Sequence, residues 1–473
     1  MVVLIKIIQV IISLGLLIIL HEGGHFLFAK LFKTRVNKFY LFFDYKFNLF
    51  STYAPWFRRL TGKKPVVVPK NDEGEYEYHG TEYGVGWIPL GGYVQIAGMI
   101  DETQDKSKLS ADPKPWEFRT KPAWQRLLIM LGGVIMNFLV AFIIYSMVLF
   151  VWGEQYVKSE DITHGLKFSQ EAKALGFQDG DMIIKADTTT IEAWQPSSLR
   201  LLSTAKEATV KRGGEKLTIA LPGDLNLLEM LEEPKFADYL MPLCVDSIVP
   251  GSPADLIGLR KGASISKFND TEIKDFNDLS TQLMIMRERL KDASFADSVR
   301  VRIVKVVLND GDSTRLAVTY LKNDITLGFV NKMPEYKTTT KEYGFLESIP
   351  AGFAYGWRQL SSYVSDLKYI FTKKGAKSVG GFITIGNIFP STWDWEAFWK
   401  LTALLSIMLG VVNVLPIPAL DGGHALFCIY EIITRRKPSD TFLQRAQYVG
   451  FFILLALLIF ANLNDILRLL GLM

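Results

Sequence analysis

The stretch His21-Glu22-Gly23-Gly24-His25 follows an apolar run, residues 1–20, in which only three side chains are polar. About twenty apolar residues form a helix long enough to cross a bilayer. Ionisable side chains at membrane depth are costly unless they serve a function or mark the membrane–water boundary. The stretch therefore predicts a transmembrane helix that carries either a functional site or a polar boundary.

The two histidines of this stretch stand four residues apart, which places both imidazoles on one face of a helix. Such a pair can bind one zinc ion, and an adjacent glutamate can act as general base toward water. The pattern favours an intramembrane metalloprotease centre with His21 and His25 as ligands and Glu22 as the catalytic residue. This hypothesis requires a third ligand elsewhere in the chain.

The composition indicates a membrane protein with a substantial soluble part. Of 473 residues, 49% are hydrophobic and 22% are charged. The net charge of +4 gives no indication of a nucleic-acid partner. Two cysteines without CxxC spacing indicate no disulfide framework. The N-terminus lacks a cationic start and a small-residue cleavage site, so we expect a retained span rather than a signal peptide.

Four hydrophobic stretches predict transmembrane helices. They lie at residues 1–31, 123–152, 396–424 and 443–472. Within the third stretch, the apolar run at residues 399–415 is short by the twenty-residue rule and is followed by Pro416 and Pro418, which break a helix. Broken helices are tolerated at membrane depth where they line a protein cavity, so the break is a second indication of a site.

Basic residues flank these stretches on one side of the membrane. They follow the first stretch, precede the second and separate the third from the fourth. They are Lys30, Lys33, Arg35, Lys38, Lys46, Arg119, Lys121, Arg126, Arg435, Arg436, Lys437 and Arg445. The positive-inside rule places them in the cytoplasm, with both termini and the long insertion outside. The two histidines then lie toward the cytoplasmic face.

Residues 32–122 form the predicted cytoplasmic segment. Within it, residues 81–98 are rich in glycine and aromatic residues and predict a β-hairpin with its turn at residues 89–92. This hairpin could dip into the membrane and offer a strand edge to a peptide, although an ordinary surface hairpin fits equally well. Trp116, Phe118 and Trp124 among basic residues predict an interfacial helix before the second span.

The extracytoplasmic insertion contains an internal repeat. The sequence GFQDGDMI at residues 176–183 recurs as GLRKGASI at residues 258–265. Strand-like alternation around both copies predicts two small β-rich domains, at residues 154–238 and 239–331. The pattern resembles that of PDZ domains, which bind extended peptides by strand addition. Ala263 replaces the aspartate of the pattern, and a purely steric role is equally consistent with the sequence.

Two segments after the repeat complete the predicted architecture. Residues 340–395 carry aromatic residues at helical spacing and predict an amphipathic helical region on the outer leaflet. Asp421, which follows the two prolines, is the only acidic residue in an apolar neighbourhood extending back to Glu396. Two histidines and one carboxylate leave a fourth tetrahedral position open, as a catalytic zinc site requires. The alternative for Asp421 is the N-cap of a following helix.

The HEGGH stretch, the Asn413-x-x-Pro416-x-Pro418-x-Leu420-Asp421-Gly422 pattern and the PDZ-like pair resemble the site-2 protease family of intramembrane zinc metalloproteases. The resemblance covers almost the whole chain. It implies an α-helical membrane core of four transmembrane helices with a membrane-associated β-hairpin, and two PDZ-like domains in an extracytoplasmic insertion. It also implies a Zn²⁺ cofactor held by His21, His25 and Asp421, with Glu22 as catalytic acid and base.

The resemblance further implies the substrates and the residues that hold them. Bacterial members would lie in the inner membrane and cleave pre-trimmed single-span membrane proteins, such as anti-sigma-factor-like proteins or signal-peptide remnants, in regulated intramembrane proteolysis. The implied substrate contacts are Asn413, Pro416, Pro418, Asn137, Gly84 and Gly86. Asn137 belongs to a family pattern in which Val134 replaces a proline, and a packing amide between helices fits it equally well.

Two other classes of function remain open from the sequence. One is a zinc-binding membrane scaffold that gathers partners through its PDZ-like pair without cutting them. The other is a transporter that uses Asp421 in an ion path, which predicts inverted repeats between membrane halves that the sequence does not show.

Overall fold

The computed structural model describes residues 1–62, 80–89, 91–99, 113–291, 294–310, 313–322 and 325–470. Residues 63–79, 90 and 100–112 of the predicted cytoplasmic segment lie outside the described residues, as do residues 471–472 of the predicted fourth span. The chain divides into two compact units. We call Met1–Glu154 with Glu342–Met473 the membrane unit and Gln155–Lys341 the repeat unit.

The membrane unit begins with two long helices separated by four short strands and one short helix. These elements are α1 (Val2–Leu31), β1 (Val36–Leu41), β2 (Phe50–Ser51), α2 (Pro55–Leu60), β3 (Glu82–Val85), β4 (Tyr93–Ile96) and α3 (Ala123–Trp152). The helices α1 and α3 each have 30 residues. At ~1.5 Å per residue they exceed the ~30 Å hydrocarbon thickness of a bilayer. Before α3, the predicted interfacial helix is reduced to a single 3₁₀ turn at Phe118–Thr120.

The repeat unit consists of short strands and helices. They are β5 (Glu154–Val157), β6 (Leu166–Phe168), α4 (Gln170–Ala174), β7 (Met182–Ala186), β8 (Thr189–Thr190), α5 (Pro196–Thr204), β9 (Glu207–Arg212), β10 (Glu215–Ala220), α6 (Leu227–Leu231), β11 (Ala237–Tyr239), β12 (Val245–Ile248), α7 (Pro253–Leu256), β13 (Ser264–Phe268), β14 (Thr271–Glu272), α8 (Phe276–Lys291), α9 (Phe295–Arg302), β15 (Ile303–Asp310), β16 (Ser313–Tyr320), β17 (Phe329–Asn331) and β18 (Thr338–Lys341).

The two sequence copies fold with the same topology. The first contains a four-stranded sheet in the order β8-β7-β9-β10, and the second contains one in the order β14-β13-β15-β16. Each copy adds a two-stranded antiparallel pair, β6 with β11 and β12 with β17. The repeated apolar positions are buried in both, as Phe177 and Leu259 illustrate. The internal repeat is thus confirmed as a structural repeat, whereas its assignment to the PDZ fold stays a prediction.

The membrane unit is completed by six helices. They are α10 (Phe345–Asp366), α11 (Lys373–Ser378), α12 (Phe382–Ile388), α13 (Trp395–Val414), α14 (Asp421–Thr434) and α15 (Asp440–Leu469). The four predicted spans are confirmed as the long apolar helices α1, α3, α13 and α15, and the chain is an integral membrane protein with these four candidate spans. The helix α10 packs along α3, where the rings of Phe142 and Phe353 lie 4.9 Å apart.

The predicted β-hairpin at residues 81–98 is wrong in its strand pairing. Its two strands form as β3 and β4, but the sheet order is β2-β3-β1-β4, so β1 lies between them. The strand β1 pairs in parallel with β3 and antiparallel with β4. In the sequence, the basic residues near Val36–Leu41 indicate a segment next to a membrane span, and they do not predict a strand. Because β1 takes the central position, β4 lies at the edge of the sheet.

A close approach of backbones joins α1 to α3. A Cβ added at Gly24 would lie 2.1 Å from the carbonyl oxygen of Gly132, so neither helix tolerates a side chain at this crossing. Polar side chains join the same helices to α13. Thr402 donates to Ser13 at 3.0 Å, and Ser406 donates to the backbone oxygen of Asn137 at 2.7 Å. Small residues and interhelical hydrogen bonds are the usual means of packing helices in a membrane.

We expect Gly24→Ala to destabilise the protein by ~1–3 kcal/mol, because the added methyl group forces the two backbones apart. Gly23→Ala is the matched control, since a Cβ there meets nothing within 4 Å. Alanine favours a helix over glycine by up to ~1 kcal/mol, so the control should be neutral or slightly stabilising. Thermal unfolding in detergent measures both variants, and equal unfolding midpoints would contradict the proposed contact.

A lysine with three carboxylates links the two copies of the repeat unit. Lys167 Nζ lies 2.6 Å from Asp275 Oδ2, 2.8 Å from Asp278 Oδ1 and 3.0 Å from Asp179 Oδ2. Burial lowers the pKa of Lys167, but hydrogen bonds to these carboxylates raise it above its ordinary value. Burial raises the pKa of Asp179, but hydrogen bonds from Lys173 and Lys167 bring it below its ordinary value.

We expect Lys167→Met to destabilise the repeat unit by roughly 3 kcal/mol, because it leaves Asp275 buried without its cation. Lys173→Met is the control, since its more exposed ion pair with Asp179 contributes at most ~1 kcal/mol. Hydrogen exchange of the full-length protein reports the change at residues 155–341. Similar exchange in both variants would show that Lys167 is an ordinary surface cation.

The same four groups predict the pH dependence of the repeat unit. The lowered pKa of Asp179 contributes stability above ~pH 4 that is lost as the pH falls through its folded-state value. The raised pKa of Lys167 contributes stability below ~pH 10 that is lost as the pH rises through its folded-state value. Protection from hydrogen exchange should therefore be greatest between these two pH values. In Lys167→Met, protection should no longer fall as the pH rises above ~10.

Candidate metal centre

Three side chains from distant parts of the chain converge in the membrane unit. His21 and His25 lie one turn apart on α1, and Asp421 is the first residue of α14. His21 Nε2 lies 3.2 Å from Asp421 Oδ2, and His25 Nε2 lies 3.3 Å from the same oxygen. The two Nε2 atoms are 3.3 Å apart. Both imidazoles are buried, with at most 8% of either residue exposed.

The chemistry of these three atoms calls for a cation between them. His25 Nδ1–H donates to the backbone oxygen of Ile129 at 2.8 Å, which leaves Nε2 of the neutral ring with a lone pair. Asp421 Oδ2 is buried, and apart from the two imidazoles no described residue offers it a hydrogen bond. Electron pairs facing one another in an apolar core repel unless a cation lies between them.

The spacing of the three atoms fits zinc. Zinc bonds to imidazole nitrogen and carboxylate oxygen are ~2.0–2.1 Å, so the ligand atoms of a tetrahedral site stand ~3.3 Å apart. The three separations of 3.2, 3.3 and 3.3 Å agree with this value. Three protein ligands leave the fourth position for water or substrate, which is the arrangement of catalytic rather than structural zinc sites.

A break in the chain brings Asp421 to the imidazoles. The helix α13 ends at Val414, and α14 begins at Asp421 after a six-residue connection that contains the two prolines. Within this connection Ala419 has a φ of +81°, a conformation that residues with a side chain rarely adopt. Strain of this kind persists where the surrounding structure fixes the backbone, and here it positions the first turn of α14.

Glu22 faces a cavity of about 220 Å³ that adjoins the three atoms. Its carboxylate accepts a hydrogen bond from the backbone N–H of Val94 in β4. The cavity is also lined by Tyr93 of β4, His424 of α14 and Gln447 of α15. Over the described residues, Glu22 is therefore held by the edge strand of the sheet, next to the candidate metal ligands.

The other predicted site residues fall into two groups. Asn413 lies near the centre, with its Nδ2 3.5 Å from His21 Nε2. Asn137 is fully buried behind His21, with its amide 3.1 Å from His21 Nδ1. Like these two asparagines, the other four predicted residues are absent from the cavity lining, and their role as substrate contacts stays a prediction. They are Gly84, Gly86, Pro416 and Pro418.

Sequence reasoning missed several residues of the cavity wall, among them Tyr93, Val94 and Gln447. Tyr93 and Val94 belong to the segment predicted as a hairpin, but the strand edge that faces the site depends on the pairing with β1. Gln447 is a lone polar residue near the start of α15, and no spacing or motif in the sequence distinguishes it from a residue at the membrane surface.

Comparison with known proteins identifies the family. The profile of "Peptidase family M50" matches residues 74–457, which is most of the chain. The "Regulator of sigma E protease" of Haemophilus influenzae is 25% identical over 97% of this chain and 98% of its own length. "Protease RseP" of Yersinia pestis is 26% identical over 97% of this chain and 98% of its own length. Together with the His21–His25–Asp421 cluster, these matches show that the chain belongs to peptidase family M50 and is a zinc metalloprotease.

Proposed function

We propose that the chain is an intramembrane endopeptidase that cleaves the membrane-embedded segments of single-span proteins already trimmed outside. The observation that carries this proposal is the position of the centre. Two of its candidate ligands lie on α1, a candidate membrane span, and the third lies at the start of α14, just after the candidate span α13. The names of the relatives support anti-sigma-factor-like substrates, and remnants of signal peptides have the same single-span form.

His21, His25 and Asp421 would hold zinc, which would supply the Lewis acidity that activates water near neutral pH and polarises a carbonyl oxygen. Glu22 takes the proton from the attacking water and delivers it to the departing amide nitrogen. The hydrogen bond from Val94 N–H orients the Glu22 carboxylate for both transfers. In this proposal Asn413, beside the metal-facing nitrogen of His21, contacts the substrate backbone.

A substrate helix must unwind locally before cleavage, because its carbonyl groups are hydrogen-bonded within the helix. The strand β4 can pair with the unwound segment. It pairs with β1 on one side, and over the described ranges no strand occupies its other edge, which contributes Tyr93 and Val94 to the cavity wall. Strand addition replaces the hydrogen bonds that the substrate loses on unwinding.

The positive-inside rule supports a specific orientation in the bacterial inner membrane. Both termini and the repeat unit lie outside, and the metal centre lies toward the cytoplasm. One of the basic residues, Arg126, is buried and forms an ion pair with Glu431 of α14 at 2.5 Å.

The repeat unit keeps its PDZ-like assignment in this proposal, because its two copies share one topology, and it either contacts peptides or limits access to the site by size.

We expect Glu22→Gln to bind zinc normally and to lose ~10²–10⁴-fold in cleavage rate, because the amide cannot accept the proton. The assay uses purified protein in detergent and a single-span substrate shortened on its extracytoplasmic side, with products identified by mass spectrometry. Glu160→Gln, at a glutamate whose side chain is 74% exposed, is the control and should cleave normally. Full cleavage by Glu22→Gln would refute the role assigned to Glu22, whereas no cleavage by the unmodified protein would leave the zinc-binding scaffold as the better explanation.

Loss of a side chain that hydrogen-bonds to a metal ligand weakens metal binding by ~10–100-fold. We expect Asp421→Asn to weaken zinc binding by more than this, because it removes a charge that would bind the metal directly. Metal content of the purified variant measures this directly. Asp366→Asn, at the end of α10, changes an aspartate away from the cluster and should keep its metal. Unchanged metal content in Asp421→Asn would exclude this carboxylate as a ligand.

A further inference from the structure

One face of α3 forms the wall behind the two imidazoles. Ile129, Gly133 and Asn137 follow one another at intervals of four residues, so they lie on one face of this helix. The Ile129 backbone oxygen accepts from His25 Nδ1–H at 2.8 Å, and the Asn137 amide lies 3.1 Å from His21 Nδ1. Each imidazole therefore meets its own partner on α3 through the nitrogen that points away from Asp421.

Gly133 sets the distance between this face and the imidazoles. A Cβ at Gly133 would lie 2.5 Å from His21 Cε1 and 2.5 Å from His25 Nε2. The two rings therefore lie directly against the backbone of α3. Their Nδ1 atoms come within hydrogen-bonding distance of Ile129 and Asn137, which stand one turn before and one turn after Gly133.

The position of the proton on His21 determines which atom of Asn137 must face it. His21 Nε2 is the atom that lies 3.2 Å from Asp421 and 3.3 Å from His25 Nε2, so it is the metal-facing nitrogen. A neutral imidazole that presents a lone pair at Nε2 carries its proton at Nδ1. His21 Nδ1–H is thus a donor, and a donor opposite the Asn137 NH₂ group would be repelled.

We propose that Asn137 is a positioning residue whose carbonyl oxygen accepts the hydrogen bond from His21 Nδ1–H. The amide is then turned by 180°, with its oxygen rather than its NH₂ group toward the imidazole, because the hydrogen-bond network decides which way a buried amide faces. The rotation gives a partner to Asn137 Oδ1, which is fully buried and has none among the described residues. It also fixes the tautomer that presents Nε2 to the metal.

The backbone around Asn137 is held in place for this role. Ser406 of α13 donates to its backbone oxygen at 2.7 Å, and none of Asn137 is exposed. A fully buried amide behind an imidazole cannot touch a substrate in the cavity, so this inference replaces the substrate contact that the sequence suggested. The inference rests on the proposed ligand role of His21.

The test is the zinc dissociation constant of full-length protein in detergent, measured by chelator competition. Asn137→Leu removes the acceptor at similar volume and should weaken binding ~10–100-fold. Asn137→Asp keeps an acceptor but no donor, so it should bind at least as tightly as the unmodified protein. Thr402→Ala, which removes the buried hydrogen bond to Ser13 and leaves Asn137 and its contact with Ser406 intact, is the control and should bind zinc within about twofold of the unmodified protein. Normal binding by Asn137→Leu, or equal weakening in Asn137→Asp, would overturn the proposal.

A second measurement needs no substitution at Asn137. Nitrogen NMR of cadmium-loaded protein labelled in its five histidines should show metal coupling at Nε2 of His21 and a proton at Nδ1. The His21→Ala variant assigns the signal. Coupling at Nδ1 would refute the inference about Asn137 without affecting the zinc site. In contrast, zinc binding by His21→Ala as tight as that of the unmodified protein would refute the proposed ligand set itself.

Discussion

The structure depends on three lone pairs that face one another inside an apolar helix bundle. Two imidazole nitrogens and a carboxylate oxygen lie at mutual distances of 3.2–3.3 Å, where without a cation they would repel. A helix can supply two of these atoms through its own periodicity, but the third has to come from a different part of the chain. The break between α13 and α14 and the strained Ala419 bring that third atom into place, and the close crossing of α1 with α3 packs the two imidazoles against the backbone of α3.

Local patterns in the sequence were sufficient for the membrane helices and for the three side chains that converge as candidate metal ligands. The helices α1, α3, α13 and α15 are predictable because each must be long and apolar enough to cross the bilayer. This requirement applies to each helix by itself and does not depend on distant contacts. The spacing of His21 and His25 needs only the helical period. Asp421 could be predicted because a lone carboxylate among apolar residues is costly without a charged partner. The repeat was visible because its two copies preserve the same buried positions.

Features that depend on contacts between distant segments could not be predicted in this way. The strand β1 lies in a stretch marked by Arg35 and Lys38, and its place between β3 and β4 follows from tertiary pairing that no local pattern encodes. Asn137 illustrates the same limit, because an amide in a transmembrane helix suits substrate binding, helix packing or support of a ligand equally well. Only its position against His21 distinguishes these roles.

The hydrogen bond from Val94 to Glu22 has a consequence for specificity. In the proposed mechanism, the backbone that would align a bound peptide is the same backbone that holds the carboxylate assigned to proton transfer. The scissile bond would then be selected by its register along β4, counted in main-chain hydrogen bonds, more than by the identity of the neighbouring side chains. Under the proposed function, such an enzyme would tolerate many sequences while cutting each at a fixed depth from the membrane surface.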